Sequence, residues 1–118
     1  MEEKKSVAIV DDEEFIGHMV SKFLQNEGLN TTYFDRMLTA REDFLNKIYD
    51  YYFLDLNLPD GTGFDLVPII QEKAKNAKII IISAHDGHEE LSRAKAFGVH
   101  DFIHKPFNKQ SILNTVKK

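Results

Sequence analysis

The chain has 118 residues, 42% of them hydrophobic and 29% charged, the proportions of one ordinary globular domain spanning residues 1–118. A net charge of −4 with no basic stripe argues against direct nucleic-acid binding, and the absence of cysteine excludes disulfides and thiolate zinc sites. The apolar runs fall far short of the ~20 residues a membrane-spanning helix needs. The charged start, Met1-Glu2-Glu3-Lys4-Lys5, leads straight into an apolar run and reads as the absence of a signal peptide. A cytoplasmic location is therefore expected.

Ser6 to Val10 is a continuous apolar run, the mark of a strand covered on both faces. Asp11-Asp12-Glu13-Glu14 follows at once, and Ile16, Met19, Val20, Phe23 and Leu24 then recur at helical spacing up to a C-terminal cap at Gly28. Asn30 to Phe34 reads as a second strand. Met37, Ala40, Phe44, Leu45 and Ile48 mark a second helix, with Asp35 as its expected N-cap. Tyr51 to Leu54 is a third strand, closed by Asp55 and by the turn residues Pro59, Asp60-Gly61 and Thr62-Gly63, which read as a turn and no more. The third helix begins near Phe64, because Pro68 is tolerated only in a first turn.

Lys78 to Ser83 holds the isoleucine run Ile79 to Ile82, a fully buried strand. Asp86 is the expected cap of the fourth helix, with Glu89 as reciprocal partner, Leu91, Ala94 and Phe97 inward, and Gly98 as its end. Val99 to His104 is a fifth strand, and Asn108 caps a last helix carrying Ile112, Leu113 and Val116. This alternation implies right-handed crossovers covering both faces of a parallel sheet, a doubly wound α/β domain.

In such a sheet the reactive groups sit at the carboxyl ends of the strands. Here those ends carry Asp11 and Asp12, Asp55, Ser83 and Lys105. Clustered carboxylates raise one another's pKa unless a cation joins them. An oxygen-only donor set suits magnesium, and a magnesium beside a carboxylate, a lysine and a hydroxyl is a phosphoryl-transfer constellation.

Val10-Asp11-Asp12-Glu13, the run Leu54-Asp55-Leu56-Asn57-Leu58-Pro59-Asp60-Gly61, Ile82-Ser83-Ala84 and Lys105-Pro106-Phe107 stand in order along nearly the whole chain. In these motifs the chain resembles the receiver domains of two-component response regulators, including the chemotaxis-type single-domain receivers. The resemblance implies a flavodoxin-like (βα)5 three-layer sandwich with parallel strand order 2-1-3-4-5. That order is carried over from the family, since the residues alone do not set it.

The resemblance further implies that Asp55 accepts a phosphoryl group, with Mg2+ held by Asp12 directly, by Asp11 through water, by Asp55 and by the backbone carbonyl of Asn57. Ser83 is then the hydroxyl that moves to the phosphoryl oxygen, and Ala84 the small residue leaving it room. Lys105 pairs with the acceptor and then with the phosphoryl group, and its peptide bond to Pro106 is cis in the family. Phe102 occupies the aromatic switch position, as Phe and not Tyr. Asn57 and His85 are expected to flank the water that ends the phosphorylated state, His85 in a pH-dependent way. The donor implied is a sensor histidine kinase or a histidine phosphotransfer protein. An output domain or a second copy of the chain is expected on the face of helix four, strand five and helix five.

Other readings fit less well. An aspartate-nucleophile phosphatase needs a second acid two residues after the first, where this chain has Asn57. A flavin or nucleotide binder needs a phosphate loop after strand one, where four acids would repel it. An interaction module working mainly without phosphorylation would have lost Asp55, Lys105 or the acidic pair. Capping of the first helix by Asp11 and Asp12 explains neither Asp55 nor Lys105.

Overall fold

Strand and helix alternate along the whole described chain, residues 4–84 and 88–117 of a computed structural model. The elements are β1 (Ser6–Val10), α1 (Glu14–Gln25), β2 (Asn30–Phe34), α2 (Met37–Phe44) and β3 (Tyr51–Asp55). A single 3-10 turn (Gly63–Leu66) then runs into α3 (Val67–Lys73), followed by β4 (Lys78–Ser83), α4 (His88–Phe97), β5 (Asp101–His104) and α5 (Lys109–Lys117). The five strands pair in parallel in the order β2-β1-β3-β4-β5, as the resemblance implies.

The pleat sends alternate residues to opposite faces. Val7, Ile9, Phe53, Ile80, Ile82 and Ile103 pack with Val20 and Leu24 of α1 and Ile112 and Leu113 of α5. Ala8, Val10, Tyr52, Leu54, Ile79 and Ile81 pack on the other face with Ala40, Phe44, Leu66, Val67, Ile70 and Ala94. Each fully buried isoleucine of β4 contributes about 1.5–3 kcal/mol, which is why this run is a central strand. Gly28 and Gly98, at φ 88° and 81°, reverse the chain after α1 and α4 in the left-handed region where glycine is unstrained.

Several expectations are corrected. β3 includes Asp55, and β5 starts at Asp101 instead of Val99. Helical spacing reads past the end of α2, which stops at Phe44 and leaves Leu45 and Ile48 in solvent. Asp35 does not cap α2: the residue before the helix is Arg36, whose side chain makes no cap bond. The Asp60 carboxylate accepts from the amides of Met37 at 2.8 Å and Leu38 at 2.9 Å instead, so Asp60 is more than a turn residue. Pro68 does sit in the first turn of α3. Asn108 caps α5 by accepting from Ser111 N at 2.9 Å. The capping expected of Asp86, and the role expected of His85, lie outside the described residues.

Candidate functional site

Three strand ends meet at one edge of the sheet. Asp55, the last residue of β3, is 3% exposed; its Oδ1 accepts from Asn57 N at 3.1 Å and its Oδ2 lies 3.2 Å from Lys105 Nζ. Asp11 follows β1 and is 1% exposed. One of its oxygens accepts from Glu13 N at 2.8 Å. The other is buried with no hydrogen-bond partner and meets Lys105 Nζ as an ion pair at 3.1 Å. Ser83 is fully buried at the end of β4, and its carbonyl accepts from Lys105 N at 2.8 Å, fixing the loop that delivers the lysine. The Lys105–Pro106 bond is cis.

Expected site residues thus converge, and others to which the sequence assigned no role join them. Glu13 Oε1 takes Lys105 Nζ at 2.7 Å, so one ammonium serves carboxylates from both sides of the cleft. Tyr33 donates its hydroxyl to the Asp11 carbonyl at 2.6 Å, bracing the start of the acidic loop. Its ring fills the place where a side chain on Gly17 would stand. Gly63 likewise has no room for a side chain, because the Asp55 carbonyl oxygen stands against the position of its would-be Cβ. Thr62 and Asp65 form a reciprocal capping box that holds this turn.

The electrostatics follow from burial and crowding. Burial, then the Asp11 charge, pushes the Asp55 carboxyl up to about 6, against the opposing pull of the Asn57 amide and Lys105. Burial also raises Asp11 despite the Glu13 amide and Lys105. Burial followed by the charge of Asp55 raises Asp12. Burial alone would lower Lys105, but Glu13, Asp55 and Asp11 outweigh it and hold the ammonium charged. Among the described residues, the pocket is one of excess negative charge with Lys105 as its cationic strut.

The family model of response regulator receiver domains matches residues 7–117. The chain belongs to that family. The receiver is 31% identical over 113 residues to the transcriptional regulatory protein CssR of Bacillus subtilis, covering 96% of this chain and 50% of that protein. It is 31% identical over 109 residues to the cell cycle response regulator CtrA of Brucella ovis, covering 91% of this chain and 46% of that one. The chain therefore spans about half the length of these curated relatives.

Among solved structures, the receiver superposes on the chemotaxis response regulator CheY4 of Vibrio cholerae with a TM-score of 0.89, 27% identity and 98% of each chain covered. A receiver domain protein of Methanospirillum hungatei shares the fold at a TM-score of 0.91 and 23% identity, with 98% of this chain and 92% of that one covered.

Receivers generally bind magnesium in their acidic pocket, and the residues here fit such an ion. One oxygen from each of Asp11, Asp12, Glu13 and Asp55 lies within 4.8 Å of the others, and the buried Asp11 oxygen that pairs with Lys105 by charge, without a hydrogen bond, is among the groups a cation would satisfy. Asn57 and Ala84 are exposed at the rim beside Asp55 and Ser83. Phe102 is half-buried on β5, its ring tilted against His104 with centroids 5.1 Å apart.

Proposed function

We propose that Asp55 takes a phosphoryl group from a phosphohistidine on a sensor histidine kinase or histidine phosphotransfer protein, and that the domain, residues 1–118, then hydrolyses it. In the transfer, an Asp55 oxygen bonds to phosphorus as the phosphorus–nitrogen bond breaks. In the hydrolysis, water replaces the carboxylate and inorganic phosphate leaves. The observation that carries this reading is a buried carboxylate ending the central strand, 3.2 Å from an ammonium and beside three further acids. Phosphoryl uptake from acetyl phosphate, read by intact mass, tests it.

Asp11, Asp12, Asp55 and the Asn57 carbonyl would hold magnesium, which when bound neutralises charge on the phosphoryl oxygens. Lys105 passes from Asp55 to the phosphoryl group, and the Ser83 hydroxyl donates to it. Asn57 and Ala84 set access at the rim, and the same role for His85 rests on the sequence. A cytoplasmic location belongs to this proposal; among the described residues no helix is long and apolar enough to cross a membrane. So does an output domain or second copy on the face of α4, β5 and α5, where Phe102 lies.

The Asp12 side chain is largely exposed, and partial desolvation of its carboxyl, followed by the charges of Asp55 and Glu13, raises its pKa. Asp12→Ala is therefore expected to weaken magnesium binding by about tenfold or more while raising the melting temperature without metal. A metal-free variant that melts below the metal-free parent would show that repulsion is not the dominant effect there.

Phosphorylation is expected to draw the Phe102 ring inward as Ser83 moves, a shift between two populated arrangements. The chain has no tryptophan, so Phe102→Trp gives a single reporter. Its emission should shift when beryllofluoride and magnesium are added, and an unchanged spectrum removes the coupling while leaving the chemistry intact.

A further inference from the structure

The β3–α3 loop reaches across to α2 through one side chain. Asp60 Oδ1 accepts from Met37 N at 2.8 Å and Oδ2 from Leu38 N at 2.9 Å, so both carboxylate oxygens are engaged and the group is fixed in direction as well as position. Asp60 sits in a tight turn whose ends pair, Leu58 N to Gly61 O at 3.1 Å and Gly61 N to Leu58 O at 3.4 Å. Gly61 brings that turn onto Met37, whose sulfur stands 2.7 Å from the position a Cβ would take. Asn57 immediately precedes the turn, and its amide is tied to Asp55 Oδ1 at 3.1 Å. The segment from Asp55 to Gly61 is thus held at one end by the acceptor aspartate and at the other by the amino end of α2.

From this we infer that Asp60 is a positioning residue for the metal site: by clamping the loop on α2 it holds the Asn57 carbonyl where the cation needs it. The inference rests on the magnesium reading above. It goes beyond helix capping, because α2 has no side-chain cap of its own and a cap supplied by a residue on its own strand side would serve the helix equally well. A cap taken from a turn 22 residues away serves the loop too. Groups that support a metal ligand without touching the metal typically change affinity by about 10–100-fold when removed.

The two roles separate in a pair of variants. Asp60→Ala loses both the cap and the clamp. Adding Arg36→Ser restores a local cap, since Arg36 is the residue before α2 and its extended backbone, φ −156° and ψ 163°, suits a capping serine. Calorimetric titration with magnesium and thermal melting without it are measured on the parent, Asp60→Ala, Arg36→Ser and the double variant. Asp60→Ala is expected to melt lower and bind magnesium about tenfold more weakly. The double variant should recover the melting temperature and keep the weak binding, with Arg36→Ser alone binding as the parent does. Parental affinity in Asp60→Ala, or recovery of affinity together with stability in the double variant, overturns the positioning role. A parent that binds no magnesium overturns the metal site itself and this inference with it.

Discussion

Asp55→Asn will gain no phosphoryl group from acetyl phosphate and magnesium, where the parent gains one. The other acids of the cleft do not replace it. Asp11 is buried with one oxygen bound to the Glu13 amide, and Asp12 and Glu13 stand on the exposed loop, whereas Asp55 ends the central strand in contact with Lys105. Intact mass reads the result, and undiminished labelling of the variant would sink the assignment.

The same variant has a second expected signature. The Asp55 carboxyl, at about 6 in the fold against an ordinary 3.8, holds its proton more tightly folded than unfolded. Its contribution to stability is complete below about pH 3.8 and is lost as pH rises through about 6. At neutral pH without metal the charged group opposes folding, and the uncharged amide removes that opposition. Metal-free Asp55→Asn should then melt about 5 °C or more above the parent at pH 7, with the gap closing towards pH 4. A variant melting below the parent at pH 7 would mean that losing the Lys105 ion pair outweighs relief from burial and from Asp11.

Gly63→Ala is the second large effect, and it is steric. The new methyl carbon would overlap the Asp55 carbonyl oxygen and stand 3.1 Å from its carbon, both backbone atoms of a central strand that cannot swing aside. Overpacking of this kind costs about 1–3 kcal/mol and sometimes more. It also acts at the acceptor, so the rate of phosphoryl uptake should fall with the melting temperature. Gly28→Ala is the control. Its position has open space around it and only the strain of φ 88°, so it should lower stability by roughly 1 kcal/mol and leave uptake unchanged. If Gly63→Ala keeps parental uptake at a temperature where it is folded, the contact with Asp55 does not position the acceptor.

Both effects concern the edge of the sheet, and that edge was the part most legible in the residues. Asp11, Asp55 and Ser83 each close an apolar run, and a charged or hydroxyl side chain at the end of a buried strand has only the cleft to enter. The order in which the strands lie was not legible this way; it came with the family resemblance, because apolar runs do not name their neighbours. The same limit hid the supports of the site. Glu13 reaches Lys105 across 92 residues, Tyr33 reaches the Asp11 carbonyl across 22, and no local pattern marks either. Asp35 looked like the cap of α2 because capping rules favour the nearest acid, while the helix is capped from another loop. The box formed by Thr62 and Asp65 has the three-residue spacing of a capping box, set among glycines that mark only a turn.

The two outermost strands carry a consequence for crowded solution. β2 is five residues long and opens with Asn30, Thr31 and Thr32; β5 is four residues long and opens with Asp101, 3.5 Å from the Lys78 ammonium. Short edges bearing polar and charged side chains are poor templates for a strand from another molecule. The sheet is thus guarded on both sides against growing from chain to chain into fibres, even though its central strands are among the most apolar stretches of the sequence.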